Sequence, residues 1–156
     1  MKRPFAADHC YTAGRYSPGP PQRGLFLSMD DILDFDKQGG LIPAVVQDAN
    51  THRVLMVGYM NREAFERTIE TGHVTFFSRS RQELWTKGGS SGHYLNLKSI
   101  AVDCDGDALL VEAEPIGPGV CHNGYYSCFF RTFEDGGWVE NEQRVYDPAA
   151  IYGMKK

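Results

Sequence analysis

The sequence lacks any apolar run long enough to cross a membrane and any excess of positive charge. Nowhere in the 156 residues do about 18 consecutive apolar residues occur. The first stretch, MKRPFAADHCYTAGRYSPGPPQRG, has basic residues but no apolar core of the kind that a signal peptide needs. The formal net charge of -4 gives no broad surface for nucleic acid. We therefore expect a cytoplasmic protein that binds neither membranes nor nucleic acid.

Cysteine is also scarce, and no two cysteines have the C-x-x-C spacing. The sequence contains four, and cytosolic thiols are kept reduced, so a disulfide framework is not expected. A redox thiol protein is a weak functional alternative, because no C-x-x-C motif is present. Reduced thiols that come together in the fold could instead bind a metal ion.

Length and composition predict one globular domain. Hydrophobic residues make up 42% and charged residues 23%, which excludes disordered and fibrous classes. A chain of 156 residues can bury one core but not two. The prolines and glycines near the start predict a flexible extension over residues 1–24, in which Cys10 is a bystander thiol, followed by a domain over residues 25–156.

Local patterns predict several β-strands and a few short helices. Ser28 and Asp31 resemble a capping box that begins a brief helix. The segment NREAFERTIETG reads as a helix that Asn61 caps and Gly72 ends. The predicted class is α+β, mainly antiparallel β-sheet in a single domain. The predicted strands lie in LIPAVVQDANTHRVLMVGYM, which forms a hairpin, and in HVTFFS, HYLNLKSIAVDC, DALLVEAE and YYSCFFRTF.

The run DCDGD places three carboxylates and one thiol within five residues. If the preceding strand continues, side chains alternate, and the carboxylates project to one face and the thiol to the other. Carboxylates on one face repel one another unless a cation lies among them, and oxygen ligands suit Mg²⁺. A polar turn with hydrated aspartates is the alternative, whereas Ala108, where an EF-hand needs glycine, argues against a calcium loop. The carboxylates are Asp103, Asp105 and Asp107, and the thiol is Cys104.

The stretch CHNGYYSC brackets a histidine between two cysteines. Cys121 and Cys128 are further apart than the pairs of structural zinc sites, so their spacing alone is a weak indication of zinc. With Cys104 there are three thiols, which would leave one position of a tetrahedral zinc ion open to water, as in catalytic sites. If His122 were a fourth ligand, the site would be closed and structural. Small buried apolar cysteines are the third alternative.

The stretch SRSRQELWTKGGSSGH combines hydroxyls, cationic side chains and glycines. Glycine lets backbone N–H groups approach a phosphate, and the other side chains add donors and charge. No Walker or dinucleotide motif is present, and a generic loop beside a solvated basic patch is the alternative. Trp85 could stack on a base or pack in the core. The candidate binding residues are Ser78, Arg79, Ser80, Arg81, Trp85, Lys87, Gly88, Ser90, Ser91 and Gly92.

Taken in order, GLIPAVVQD, LMVGYMN, FFSRSR, LWTKGGSSGH, DCDGDALL and CHNGYYSCFF resemble the phosphoribosyl-AMP cyclohydrolases of histidine biosynthesis, from about Phe35 to about Arg131. The resemblance implies hydrolysis of the N1–C6 bond of the adenine ring in 1-(5-phosphoribosyl)-AMP, giving the formimino-carboxamide ribonucleotide. It also implies Zn²⁺ and Mg²⁺ as cofactors and an intertwined homodimer that shares each zinc ion. The implied magnesium ligands are Asp103, Asp105 and Asp107, and the implied zinc ligands are Cys104 of one subunit with Cys121 and Cys128 of the other.

Two histidines are candidates for proton transfer in the reaction that this resemblance implies. His122 is the first candidate because it adjoins a zinc ligand, and His93 is the second. The sequence departs from the family pattern at Gly89, where the family usually has a glutamate. Glu83 is a candidate to supply the missing carboxylate. A zinc-stabilised module that binds a phosphorylated ligand without catalysis is the alternative function.

Overall fold

The structure is a computed structural model that describes residues 28–153. The predicted extension over residues 1–24, with Cys10, lies outside the described residues. No helix in the described range is both long and apolar enough to cross a membrane. The helices are α1 (Met29–Ile32), α2 (Arg62–Thr71) and α3 (Pro148–Tyr152), with a 3-10 turn at Asp36–Gln38. The strands are β1 (Ile42–Asp48), β2 (Val54–Met60), β3 (Thr75–Ser78), β4 (Glu83–Thr86), β5 (Leu95–Val102), β6 (Leu109–Pro115), β7 (Arg131–Glu134) and β8 (Gly137–Glu140).

The central sheet has four strands in the order β2-β1-β6-β5, and β3–β4 and β7–β8 form two further pairs. The predicted α+β class with mainly antiparallel strands is confirmed, as is the β1–β2 hairpin. The exception is β1, which pairs with β6 in parallel. Local sequence patterns do not predict that pairing, because the two strands are far apart in the chain. Alternate residues of β1 face the core, and the last of them is the polar Asp48.

Helix α2 confirms the prediction made from its caps. The side chain of Asn61 accepts a hydrogen bond from the Ala64 N–H at 2.8 Å, which satisfies a donor that the first helical turn leaves free. Gly72 ends the helix with φ 69°, a conformation that glycine adopts without steric cost. Ala64 and Thr68 form the buried face. The predicted capping box of α1 is also present.

A glycine in β2 lets the aromatic core approach the central sheet closely. A Cβ atom on Gly58 would lie 2.3 Å from the Phe76 ring, which is buried. Phe76 in turn packs against Trp85 of β4, with ring centroids 5.5 Å apart. This packing places the β3–β4 pair, and the loop that follows it, beside β2.

The strand predicted over HYLNLKSIAVDC ends before DCDGD, so the extended backbone that the alternation argument required is not formed. β5 ends at Val102, and Gly106 has φ 79°. One carboxylate oxygen of Asp103 accepts hydrogen bonds from the Asp107 N–H at 3.0 Å and the Ala108 N–H at 3.1 Å. Side-chain acceptors of this kind stabilise turns at the expense of sheet ladders. The segment is therefore a polar turn.

The strand predicted over YYSCFFRTF begins later than expected. β7 starts at Arg131, and the preceding residues form an irregular loop. Within that loop the Gly124 N–H donates to the Cys121 carbonyl at 2.9 Å. The Ser127 hydroxyl accepts a hydrogen bond from the Phe129 N–H at 2.9 Å. These local bonds satisfy backbone groups that a strand would have paired with a neighbour.

Candidate active site

A cavity of about 810 Å³ brings together segments that are far apart in the chain. Three walls surround it: the β4 strand with its following loop, the segment Cys121–Cys128, which we call the cysteine loop, and helix α3. The cysteine loop contributes His122 and Cys128. Helix α3 contributes Tyr152. Six of the ten candidate binding residues line the cavity, namely Arg81, Trp85, Lys87, Gly88, Ser90 and Ser91.

Lys87 is the buried cation of this cavity, with 5% of its surface exposed. Its backbone N–H donates to the Val74 carbonyl at 3.0 Å, which fixes the start of the loop. Burial lowers the pKa of the Lys87 ammonium, a shift that the nearby side chains of Tyr152, Cys128 and Cys121 would oppose in their ionised forms. The ammonium therefore lies near the thiols in a partly dehydrated wall, where it can neutralise an anion.

The backbone conformation and close packing at position 88 explain why a glycine follows Lys87. Its φ is 94°, and a Cβ atom there would lie 2.5 Å from the backbone nitrogen of Tyr94. A side chain at this position would push the loop away from the segment that leads into β5. The glycine thus keeps Lys87 in the cavity wall.

The remaining candidate binding residues do not line the cavity. The Arg79 guanidinium stacks over Tyr59 at 3.8 Å from the ring centroid. The Ser78 hydroxyl accepts from Arg81, whose Nε lies 3.2 Å from a Glu83 carboxylate oxygen. Ser78 and Arg79 therefore orient the segment that carries Arg81. The candidates outside the cavity lining are Ser78, Arg79, Ser80 and Gly92.

The two thiols of the cysteine loop lie against each other. Cys121 is buried, while Cys128 opens on the cavity. Burial raises the pKa of the Cys128 thiol to about 12, and the neighbouring Cys121 side chain adds to that rise through charge and a hydrogen bond. Two thiols held together in this way need a cation before both can ionise at neutral pH.

The three aspartates of DCDGD cluster as predicted, although they do so in a turn. One ligand oxygen from each lies within 4.8 Å of the others. Cys104 is exposed on the same turn. Among residues 28–153, this aspartate trio is the one group of three or more His, Cys, Asp or Glu side chains close enough to hold a common metal ion. Cys104 therefore does not join Cys121 and Cys128 within one chain.

Lys37 contacts two of these aspartates, a feature that sequence patterns did not predict. Its ammonium pairs with Asp105 and lies 2.9 Å from Asp107. The hydrogen bonds to Asp105 and then Asp107 raise the pKa of Lys37, and Lys37 lowers the pKa of Asp105. The Asp34 N–H donates to the Gly106 carbonyl at 2.9 Å and so holds the segment that carries Lys37 against the turn. A metal ion at the aspartates would share their oxygens with this ammonium.

The two candidate histidines have different surroundings. His122 is exposed and lines the cavity beside Cys128. His93 is 9% exposed, its Nδ1 lies 3.1 Å from the Gly119 carbonyl oxygen, and the ring meets Tyr146 edge-on at 4.9 Å. His93 is absent from the cavity lining. The geometry favours His122 for proton transfer and a packing role for His93.

The segment after β8 closes one side of the cavity, and no sequence motif predicted this. The Tyr146 hydroxyl donates to the Cys121 carbonyl, and the Val145 N–H donates to the Gly124 carbonyl at 2.7 Å. Asp147 then caps α3, and its side chain accepts from the Ala149 N–H at 2.9 Å. The Asp-Pro pair is a typical helix start and could have indicated this helix.

Comparison with known proteins shows the family of this chain. A family model described as phosphoribosyl-AMP cyclohydrolase matches residues 56–130. The phosphoribosyl-AMP cyclohydrolase of Solibacter usitatus is 59% identical over 123 residues, which cover 79% of this chain and 98% of that protein. This chain belongs to the phosphoribosyl-AMP cyclohydrolase family.

Two further relatives support the same membership. The phosphoribosyl-AMP cyclohydrolase of Desulfatibacillum aliphaticivorans is 50% identical over 77% of this chain and 96% of that protein. A histidine biosynthesis bifunctional protein of Vibrio cholerae is 52% identical over 78% of this chain and 55% of that protein. The matched span of the family model contains the β4 loop, DCDGD and the cysteine loop. The resemblance inferred from the sequence motifs is confirmed.

The departure from the cyclohydrolase pattern lies on the rim of the cavity. Gly89 is exposed and lies between two lining residues, Gly88 and Ser90. A Cβ atom at Gly89 would have the Thr86 carbonyl oxygen at 3.3 Å, a tight contact. Glu83, the candidate replacement for the missing carboxylate, pairs with the cavity-lining Arg81.

Proposed function

We propose that this chain hydrolyses the N1–C6 bond of the adenine ring in 1-(5-phosphoribosyl)-AMP, a step of histidine biosynthesis, with bound zinc and magnesium. The observation that carries the proposal is the shared cavity. It joins the buried side chain of Lys87 to the Cys128 thiol and to His122, in a chain of the phosphoribosyl-AMP cyclohydrolase family.

The cysteine loop fits zinc. Cys121 and Cys128 present adjacent sulfurs, and thiolate is a preferred zinc ligand. A third sulfur has to come from elsewhere, because Cys104 does not join them within one chain. Cys104 is exposed, so a second copy of the chain in a homodimer could supply it. We infer that the zinc ion is shared between two subunits in this way.

The aspartate turn fits magnesium. The turn offers oxygen ligands from Asp103, Asp105 and Asp107 within 4.8 Å of one another, and such oxygens suit Mg²⁺. When bound, zinc supplies the Lewis acidity that makes water a nucleophile near neutral pH, and magnesium supplies positive charge for a phosphorylated substrate.

The residues of this chain bind the substrate and move its protons. Lys87 and Arg81 are the cations of the cavity and would hold phosphate oxygens, while backbone N–H groups of the glycine loop add donors. Trp85 packs on Phe76 with one part of its ring system and borders the cavity with another, so it can contact a base. The imidazole of His122 would accept a proton from the attacking water and return it to N1 as the C6–N1 bond breaks.

Direct turnover tests this proposal. Purified protein supplied with Zn²⁺ and Mg²⁺ is expected to convert 1-(5-phosphoribosyl)-AMP to the ring-opened ribonucleotide, measured by chromatography and mass spectrometry. AMP is the control substrate, because it lacks the substituent on N1 and its ring should stay closed. Zinc binding without any turnover would favour the non-catalytic zinc-stabilised module instead.

A further inference from the structure

A buried carboxylate that the proposed reaction does not use lies at the end of β1. Asp48 is 2% exposed. Its carboxylate accepts hydrogen bonds from the Asn50 N–H at 2.9 Å, the Thr51 hydroxyl at 2.7 Å and the Tyr126 hydroxyl. Burial alone would raise the pKa of Asp48, but these hydrogen bonds outweigh it and lower the pKa. The carboxylate is therefore ionised at neutral pH, and its hydrogen bonds are charge-assisted.

The Tyr126 hydroxyl, the third donor to Asp48, links the β1–β2 hairpin to the cysteine loop. Tyr126 lies 78 residues from Asp48 in the chain and two residues before Cys128. Its carbonyl accepts from the Val120 N–H at 3.1 Å, next to Cys121. The hydroxyl and the backbone of Tyr126 thus connect the carboxylate to both ends of the loop.

The two residues after Tyr126 are also bound to the hairpin. The Ser127 hydroxyl donates to the Val54 carbonyl at 2.8 Å, and the Cys128 N–H donates to the Leu55 carbonyl at 2.8 Å. Three consecutive residues of the loop are therefore fixed to one hairpin. The Arg53 guanidinium adds to this contact, 5.9 Å from the centroid of the Tyr126 ring.

We infer that Asp48 is a positioning residue for the zinc site, which acts by holding the Tyr126 hydroxyl and so fixing where Cys128 stands relative to Cys121. The inference rests on the proposed binding of zinc by those two cysteines. Groups that orient metal ligands typically change metal affinity by about 10- to 100-fold when they are lost. Without the bond to Asp48 the loop would keep the Ser127 and Cys128 bonds to β2 but lose its only side-chain bond to β1 described above, and the freedom that Tyr126 regains would have to be lost again when zinc binds, which costs affinity.

The test compares two tyrosines of the same loop. Tyr126→Phe removes the hydroxyl that reaches Asp48 and keeps the ring. Tyr125→Phe makes the same deletion one residue earlier, where the hydroxyl donates to Glu140 of β8 at 2.7 Å. Zinc dissociation constants come from competition with a chelator, and the absorption spectrum of the cobalt-substituted protein reports ligand geometry.

We expect Tyr126→Phe to weaken zinc binding by about 10-fold or more and to alter the cobalt spectrum. The zinc affinity of Tyr125→Phe should stay within about 2-fold of that of the unmodified protein, since the Tyr125 hydroxyl bonds to β8 and not to Asp48. Asp48→Asn should weaken zinc binding as much as Tyr126→Phe does. The double variant should bind zinc no more weakly than either single variant, because the effects of two residues in contact are not additive.

Unchanged zinc affinity and an unchanged cobalt spectrum in Tyr126→Phe would overturn the inference and leave the zinc site standing, even if the melting temperature fell. An equal loss in Tyr125→Phe would also overturn it, because the effect would then belong to the whole loop. If Cys128→Ser bound zinc as tightly as the unmodified protein, the proposed zinc site would fail, and the positioning role would fail with it.

Discussion

Cys121→Ala is expected to remove bound zinc and turnover together. The Cys121 sulfur is buried against Cys128, so its loss leaves one thiol of the pair. Even groups that merely orient ligands change metal affinity by about 10- to 100-fold, and loss of a direct ligand should exceed that. Zinc content by elemental analysis and turnover of 1-(5-phosphoribosyl)-AMP, measured on the same sample, check the prediction.

The matched control for this variant is Cys10→Ala, which deletes a thiol outside the family motifs. Cys10→Ala should keep both its zinc and its turnover. A Cys121→Ala protein that had lost its zinc yet retained full turnover would refute zinc-dependent catalysis. A variant with unchanged zinc content would show that Cys121 is not a ligand.

His122→Asn is expected to lower turnover by about 10²-fold or more while the protein keeps its zinc. Asparagine retains a polar side chain of similar reach but cannot exchange a proton at neutral pH. His122 lines the cavity beside Cys128, and in the proposed mechanism it returns a proton to N1. Steady-state kinetics together with zinc analysis separate this loss from a loss of metal.

The control for His122 is His52→Asn, the same substitution at an exposed histidine of the β1–β2 turn, outside the cavity lining. It should leave turnover unchanged. If His122→Asn had normal turnover, the proton transfer would belong to another group. If it lost zinc with its activity, His122 would be a fourth ligand, and the closed structural site would be the better description.

Local chemistry predicted the parts of the fold that depend on neighbouring residues. The Asn61 cap and the Gly72 end of α2 are both present, because each concerns backbone groups within one helical turn. The β1–β2 hairpin is present for a similar reason. Its two β-rich runs follow one another directly in the chain and are joined by a short polar connection.

The alternation of side chains that is typical of a strand does not occur in DCDGD, because an aspartate side chain competes with a neighbouring strand for backbone N–H groups. Asp103 accepts two backbone N–H groups and turns the chain, so DCDGD is not a strand. The three aspartates nevertheless come together, because a tight turn also brings residues two apart to one side. The carboxylates therefore cluster on a turn, and not on the extended strand from which their shared face was argued.

Contacts between distant segments were beyond the reach of local patterns. Lys37 meets Asp105 across 68 residues, and nothing in either stretch specifies the other. The same holds for the parallel β1–β6 pair and for helix α3 against the cavity. Within one chain Cys104 lies apart from Cys121 and Cys128. This separation is consistent with the sharing of zinc between subunits that the family resemblance implied, which remains a prediction.

X-ray absorption at the zinc edge of the purified protein tests the central claim most directly, because it counts the atoms around the metal. The expected zinc site has three sulfurs at about 2.3 Å and one lighter atom at about 2.0–2.2 Å without imidazole scattering. Such a site keeps a position for water. Four protein ligands around the zinc ion, or fewer than three sulfurs, would contradict the account.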